Sequence, residues 1–285
     1  MVIRPPIDVT YADAPRVIAW EVARSGMSPA DALTTAQAKA FIADVARCGS
    51  PLLCITGDAF ARTDLCEIIA AASALGLRSI VSTRAAGAPG AESLRRLYAA
   101  GCTRLAVPVD TPQADLRTAL AARAAGFELH AETLLTLRNL GQLRELAALL
   151  PPLGISLWNV RFVLAPLHAA AQDGLNAEQT EAACATLFAL WLNAPFDLRV
   201  WEAPDYAHYA ARRLESMDQA ARPAKAASAL FAVPAMSEGR GYVFVSARGE
   251  IRPSESAPIA LGDVRTQHLL DVYRDDPTLR RLRDL

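Results

Sequence analysis

The chain has no apolar run of membrane-spanning length and no signal-peptide pattern at its start, so a cytoplasmic address is expected. Lysine is almost missing. Lys39 and Lys225 stand alone and arginine carries the basic charge, which with the abundant alanine suggests a GC-rich bacterial genome. The net charge is −1, so neither nucleic acid nor an anionic membrane surface is the expected partner. The five cysteines, at 48, 54, 66, 102 and 184, show no close pairing, which argues against a compact metal site. Buried, quiet thiols are expected, and a cytosolic setting calls for no disulfide. Cys102 follows Gly101 in a turn but has no sequence neighbour that would lower its pKa. No Gly-x-Gly-x-x-Gly turn follows the first apolar run, which counts against a dinucleotide fold.

What is present is bulk and rhythm. With 285 residues and 52% hydrophobic content the chain can bury a large core. Short apolar runs at 16–22, 51–58, 78–83, 103–109, 127–132, 157–164 and 197–201 read as strands. Helical stretches fall between them, from Thr34 and then at 63–75, 91–100, 112–125, 134–150 and 177–192. Gly76, Gly101 and Gly126 read as helix stops, and Pro151-Pro152-Leu153-Gly154 as a break. This alternation predicts an α/β fold, a partial (β/α)6-type TIM barrel with a short C-terminal extension containing a β-hairpin. The expected boundaries are an arm at 1–15, the barrel at 16–202 and the extension at 203–285. Within the extension, 203–236 reads as helical, 241–253 as a hairpin turning at Arg248-Gly249, and 266–273 and 277–282 as helices.

Several stretches resemble the radical S-adenosylmethionine (SAM) family of the SPASM type, in its peptide- or tetrapyrrole-modifying subgroup. They are Trp20-Glu21-Val22-Ala23-Arg24 and the run from Leu33-Thr34-Thr35-Ala36-Gln37-Ala38-Lys39 to Ala46, while the family's SAM-binding turn is reduced here to Thr56-Gly57-Asp58-Ala59, without one glycine and the proline. The C-terminal wording is similar too, from Gly239 to Ser246, from Leu261 to Arg265 and from Leu269 to Asp284. The resemblance implies a Cys-x-x-x-Cys-x-x-Cys loop after the first strand, whose three thiolates leave one cluster iron open for SAM. Here Ser25-Gly26-Met27-Ser28-Pro29 stands in that place. The expected cofactor is therefore none: no iron–sulfur cluster and no metal, with residual SAM binding left open. The expected function is a degenerate, non-catalytic binding or partner subunit in biosynthesis of a modified peptide or cofactor, its partner a protein or peptide of that pathway. The alternative is a cluster-independent enzyme that reuses the barrel pocket.

A barrel places functional residues at the C-terminal strand ends. The polar residues there are Glu21, Thr56, Asp58, Ser82, Thr83, Arg84, Asp110, His130, Glu132, Asn159, Arg161 and Glu202. His130, Glu132 and Arg161 are the catalytic candidates, and Glu21, Asp58, Thr83, Asp110, Glu132, Asn159, Arg161 and Glu202 the ligand-binding ones. Period-two alternation puts His130 with Glu132, and Asn159 with Arg161, on common faces. Arg161 inside a barrel would need carboxylates, with Asp110, Glu132 and Glu202 at hand. Three readings stay open: a space-filling ion network, a pocket in which Arg161 grips an anionic group, and an acid/base or metal site built on His130 and Glu132. His168, His208 and His268 read as loop, packing and surface residues. Arg280, Arg281 and Arg283 read as a solvated face.

Overall fold

The computed structural model describes residues 13–84, 89–163, 173–203, 205–218 and 237–284. The expected arm at 1–15 and helical stretch at 203–236 therefore fall partly outside the described residues, and His168 wholly so. The elements begin β1 (Val17–Ala23), α1 (Thr35–Ala46), β2 (Leu52–Gly57), α2 (Leu65–Ala74), β3 (Arg78–Ser82), α3 (Ala91–Ala99), β4 (Arg104–Pro108) and α4 (Arg117–Ala124). Next come β5 (Glu128–Leu135), α5 (Leu143–Leu153), β6 (Ile155–Phe162), α6 (Ala177–Asn193), β7 (Asp197–Trp201) and α7 (Asp205–Ser216). The last are β8 (Ser237–Glu238), β9 (Gly241–Val245), β10 (Glu250–Arg252), β11 (Gly262–Asp263), α8 (Leu269–Asp275) and α9 (Pro277–Asp284). The described residues form two compact units, a first of residues 13–84, 89–107, 116–128 and 237–284, and a second of 108–115, 129–163, 173–203 and 205–218.

In the first unit β1 is the central strand. Its near-continuous apolar run is buried because parallel strands flank it on both sides, β2 with Trp20 opposite Ile55 and β9 with Val17 opposite Tyr242. The predicted hairpin is present as β9 and β10, which pair antiparallel, and β9 is a direct neighbour of β1. Helix α1 starts at a capping box, Thr34 with Gln37, and buries Ala38, Phe41, Ile42 and Val45 at helical spacing. Phe41 meets Trp20 edge-on at 5.3 Å. Helix α8 is tied to α1 through Asp44, which accepts from the Leu269 amide at 2.7 Å and lies 2.8 Å from His268 Nδ1. The buried Tyr273 hydroxyl donates to the Gly239 carbonyl at 3.0 Å and accepts from the Gly241 amide at 2.8 Å. Arg283 stacks on the Tyr273 ring at 5.0 Å and donates to its carbonyl at 2.8 Å, so the solvated face expected for the C-terminal arginines does not include it.

In the second unit β5, β6 and β7 run parallel, with Glu132 opposite Asn159 and Asn159 opposite Arg199. Trp158 Nε1 donates to Thr133 Oγ1 at 2.8 Å and Thr133 Oγ1 donates to the Val109 carbonyl at 2.7 Å, a buried relay that fixes residue 109 against β5. Two element boundaries differ from the sequence reading. Helix α4 starts at Arg117 rather than 112, because Thr111 to Ala114 closes a turn of its own. Strand β5 runs on to Leu135 and α5 starts only at Leu143, after Asn139 has capped the strand end. Helix α5 also runs through Pro151 and Pro152 and stops at Gly154, whose φ of 71° only glycine adopts without strain.

Candidate functional site

The strand ends of the first unit gather Glu21, Asp58 and Thr83, each in a different local role. Thr83 is buried and structural: its amide and hydroxyl both donate to the Ala106 carbonyl, at 2.9 and 3.2 Å. The Asp58 amide donates to the Ala23 carbonyl at 2.8 Å and its carboxylate accepts from Ser25 Oγ at 3.4 Å. Glu21, 7% exposed, receives Nε and Nη2 of Arg24, each at 2.8 Å, and the Ala247 amide at 3.4 Å. That last contact joins the end of β1, where the β1–α1 loop begins, to the β9–β10 hairpin. Between them opens a cleft of about 380 Å³ whose charged lining is Glu21, Arg24, Asp31, Arg248, Glu250 and Arg252. Of these, only Glu21 is among the residues the sequence singles out. The others come from a loop and a hairpin more than 200 positions apart, which no local periodicity brings together.

The loop is held in place from below by Arg62. Its side chain, 10% exposed, donates twice to Asp64 at 2.9 and 2.8 Å, and also to the Val22 and Leu33 carbonyls at 3.2 and 2.9 Å. Asp64 accepts in addition from Thr35 Oγ1 at 2.6 Å. The Arg62 guanidinium holds the Asp64 carboxyl below its ordinary range, and Arg252 does the same to Glu250. A depressed folded-state pKa adds stability that is present above the ordinary carboxylate range and is lost as pH falls through the folded value. The urea midpoint is therefore expected to stay flat from about pH 7 to about pH 5 and to drop below about pH 4. Asp64→Asn should flatten part of that drop; an unchanged acid limb in the variant would contradict the assignment.

The second unit gathers Asp110, His130, Glu132, Asn159, Arg161 and Glu202. Asp110 accepts from the Leu134 amide at 2.7 Å, and Asn139, 5% exposed, donates to the Asp110 and Leu134 carbonyls at 3.0 and 2.9 Å. Asn139 is thus a supporting residue that its position in a turn did not signal. His130 is buried at 7% exposure, and Asn159 Oδ1 accepts from Trp201 Nε1 at 3.5 Å. Arg161 Nε lies 4.0 Å from Glu202, but the Arg161 side chain is 39% exposed. The expected penalty of a buried guanidinium therefore does not apply; solvent reaches the charge. Glu202 has φ 59°, the one non-glycine residue at positive φ among the described residues, and it follows directly on β7. The side chain of His208 lies outside the described residues.

The thiols do not fit a cluster. Cys48 and Cys102 are buried, with Cys48 pushed up to about 12 by burial and Cys102 raised for the same reason. Cys54 lies in β2, Cys66 in α2 and Cys184 in α6, and the β1–α1 loop offers serines, an arginine and a methionine instead. Among the described residues no three His, Cys, Asp or Glu side chains are placed to hold a metal ion. Nor is any described helix long and apolar enough to cross a membrane.

No family model matches the chain. It is 27% identical to a protein named AdoMet-dependent heme synthase from Oleidesulfovibrio alaskensis, over 94% of this chain and 76% of that one. A protein of the same name from Methanosarcina barkeri is 26% identical, over 97% of this chain and 87% of that one. Among solved structures, Streptococcus suis SuiB bound to S-adenosylmethionine superposes with a TM-score of 0.71 at 12% identity, covering 95% of this chain and 68% of that one. Native anSMEcpe with bound AdoMet gives 0.65 at 11% identity, covering 93% and 82%. These likenesses show the fold, an α/β arrangement with a parallel sheet of the kind expected from the sequence as a partial barrel. Two expectations are overturned. The non-catalytic subunit reading conflicts with relatives named as synthases, and the expectation of no cofactor conflicts with their being named AdoMet-dependent.

Proposed function

Since the chain resembles radical SAM proteins in both sequence and fold, we propose that it is an AdoMet-dependent enzyme of cofactor biosynthesis, acting on a tetrapyrrole that carries carboxylate side chains. The observation that carries this reading is the similarity, over 94% to 97% of this chain, to proteins named AdoMet-dependent heme synthase. The strand ends of the second unit supply a way to hold such a substrate. Arg161, partly exposed and with its Nε 4.0 Å from Glu202, binds a substrate carboxylate in bidentate fashion. Glu202 orients that guanidinium; its left-handed backbone is the strain a binding residue retains when neighbouring structure enforces it. His130 and Glu132 are the proton-carrying groups nearest in register, with Glu132 opposite Asn159. Because the thiols of this chain do not fit a cluster, no step is routed through one.

A second reading has one supporting observation: SuiB has been solved bound to a precursor peptide, at a TM-score of 0.68 to this chain. A peptide would then replace the tetrapyrrole in the same pocket.

The test is turnover. Purified full-length chain is incubated with AdoMet and a propionate-bearing tetrapyrrole, and AdoMet consumption is followed by mass spectrometry. Substrate-dependent consumption is expected, with Arg161→Ala losing about tenfold to a hundredfold in kcat/KM, mostly through KM, as removal of a charged hydrogen-bond pair implies. Consumption that ignores the tetrapyrrole, or an Arg161→Ala enzyme as active as wild type, would remove this reading.

A further inference from the structure

The stretch from Leu261 to Arg265, set apart by its wording in the sequence and unused by the sites above, ends on a side chain that its own neighbours orient. Asp263 accepts from the Arg265 amide at 2.7 Å and from Arg265 Nη1 at 3.0 Å, and Gln267 Oε1 accepts from the Asp263 amide at 3.1 Å. The guanidinium held this way reaches two other segments. Nη1 also donates to the Arg248 carbonyl at the hairpin turn, and Nη2 donates to the Asp31 carbonyl, in the loop between β1 and α1, at 3.4 Å. Beside them the Arg248 guanidinium faces the Asp31 carboxylate at 3.7 Å. A planar fork can serve separate acceptors in this way; a single ammonium cannot hold the same geometry.

Both ends of the β1–α1 loop are anchored without that fork. At its start Glu21 accepts from the Ala247 amide at 3.4 Å. At its finish the Leu33 amide donates to the Ala247 carbonyl at 3.3 Å, and the Leu33 carbonyl accepts from Arg62 at 2.9 Å. Between these anchors the loop is bonded mainly to itself, the Met27 amide to the Arg24 carbonyl at 3.0 Å and the Asp31 amide to the Ser28 carbonyl at 2.9 Å. Gly26 has φ 80° and nothing within 4 Å of a Cβ position, so the backbone can turn there. This middle stretch lines one side of the cleft, and the hairpin from Ser246 to Arg252 lines the other. The Arg265 side chain is 31% exposed, so its bonds can break without unfolding the unit.

We propose that residues 25–31 form a lid over the cleft and that Arg265 is its latch. Engaged, the fork pins Asp31 to the hairpin turn. Released, the stretch swings on Gly26 while Glu21 and Leu33 stay in place. The device does not depend on what the cleft binds, and it stands apart from the AdoMet dependence proposed above.

The experiment is amide hydrogen exchange of the full-length chain without ligand, read by mass spectrometry on peptides covering 24–32, 34–46 and 65–74. Wild type is expected to protect 24–32. Arg265→Ala should speed exchange there about tenfold, the scale of charge-assisted hydrogen bonds at a partly exposed site, with changes under about twofold in the two helical peptides. Arg265→Lys, which keeps the charge but loses the fork, should speed exchange in 24–32 at least about threefold. Wild type exchanging in 24–32 as fast as an unstructured peptide overturns the latch, as does Arg265→Ala within about twofold of wild type there. A rise of equal size in all three peptides overturns it too, because Arg265 would then be a general stabilising residue. Arg265→Lys as protected as wild type would mean that charge alone holds the stretch, and would also overturn it.

Discussion

Replacing Arg62 with alanine is expected to cost the first unit about 3 kcal/mol or more, a loss typical of breaking a buried ion pair by removing one partner. The side chain joins three segments, the end of β1 at Val22, the entry to α1 at Leu33 and the entry to α2 at Asp64, the last two of which are also linked by the hydrogen bond from Thr35 Oγ1 to Asp64. Alanine would leave the Asp64 carboxylate, 17% exposed, without its charge partner, and two carbonyls without their donor. Replacing the pair together, as Arg62→Met with Asp64→Leu, should recover a large part of the loss because the uncompensated charge disappears. Urea unfolding followed by far-ultraviolet circular dichroism reads both. A single variant that loses less than about 0.5 kcal/mol, the value of an exposed pair, would mean that Arg62 does not organise this loop.

Gly57→Ala is expected to be comparably damaging, at about 3–4 kcal/mol when left-handed strain and overpacking are combined. Gly57 ends β2 at φ 77°, and a Cβ there would lie 2.2 Å from the Ala23 carbonyl oxygen and 2.8 Å from Glu21 Cγ. The first contact is backbone, so relief requires β1 and β2 to separate at the point where the Asp58 amide bonds Ala23. Gly49→Ala is the control. Gly49 has φ 91° but nothing within 4 Å of its Cβ position, so it should lose only about 1–2 kcal/mol of strain. Equal losses at the two glycines would show that close approach between the ends of β1 and β2 is not what requires Gly57.

These residues also mark how far the sequence could be read. Strand β1 was legible because burial on both faces leaves an uninterrupted apolar run, and α1 because Thr34 and Gln37 form a capping box next to an apolar stripe. The hairpin was legible as a hairpin from its turn at Arg248-Gly249. Its place beside β1 was not, since parallel pairing of residues some 225 positions apart, Val17 with Tyr242, leaves no periodic trace. The cleft was missed for the same reason: Arg24 and Arg252 become neighbours only once β9 has docked. At the other strand ends the polar residue types were legible, but their hydrogen-bond partners were not. Thr83 and Asp110 bind backbone, at the Ala106 carbonyl and the Leu134 amide, and a one-dimensional pattern cannot distinguish a backbone clamp from a ligand contact. The missing cysteines, in turn, describe what the β1–α1 loop cannot hold and say nothing of what the cleft beside it accepts.

The most direct measurement is equilibrium dialysis of the purified full-length chain against radiolabelled AdoMet. Saturable retention approaching one equivalent per chain, displaced by unlabelled S-adenosylhomocysteine, is expected. No retention above a non-binding control protein, at AdoMet concentrations up to the millimolar range, would contradict AdoMet dependence.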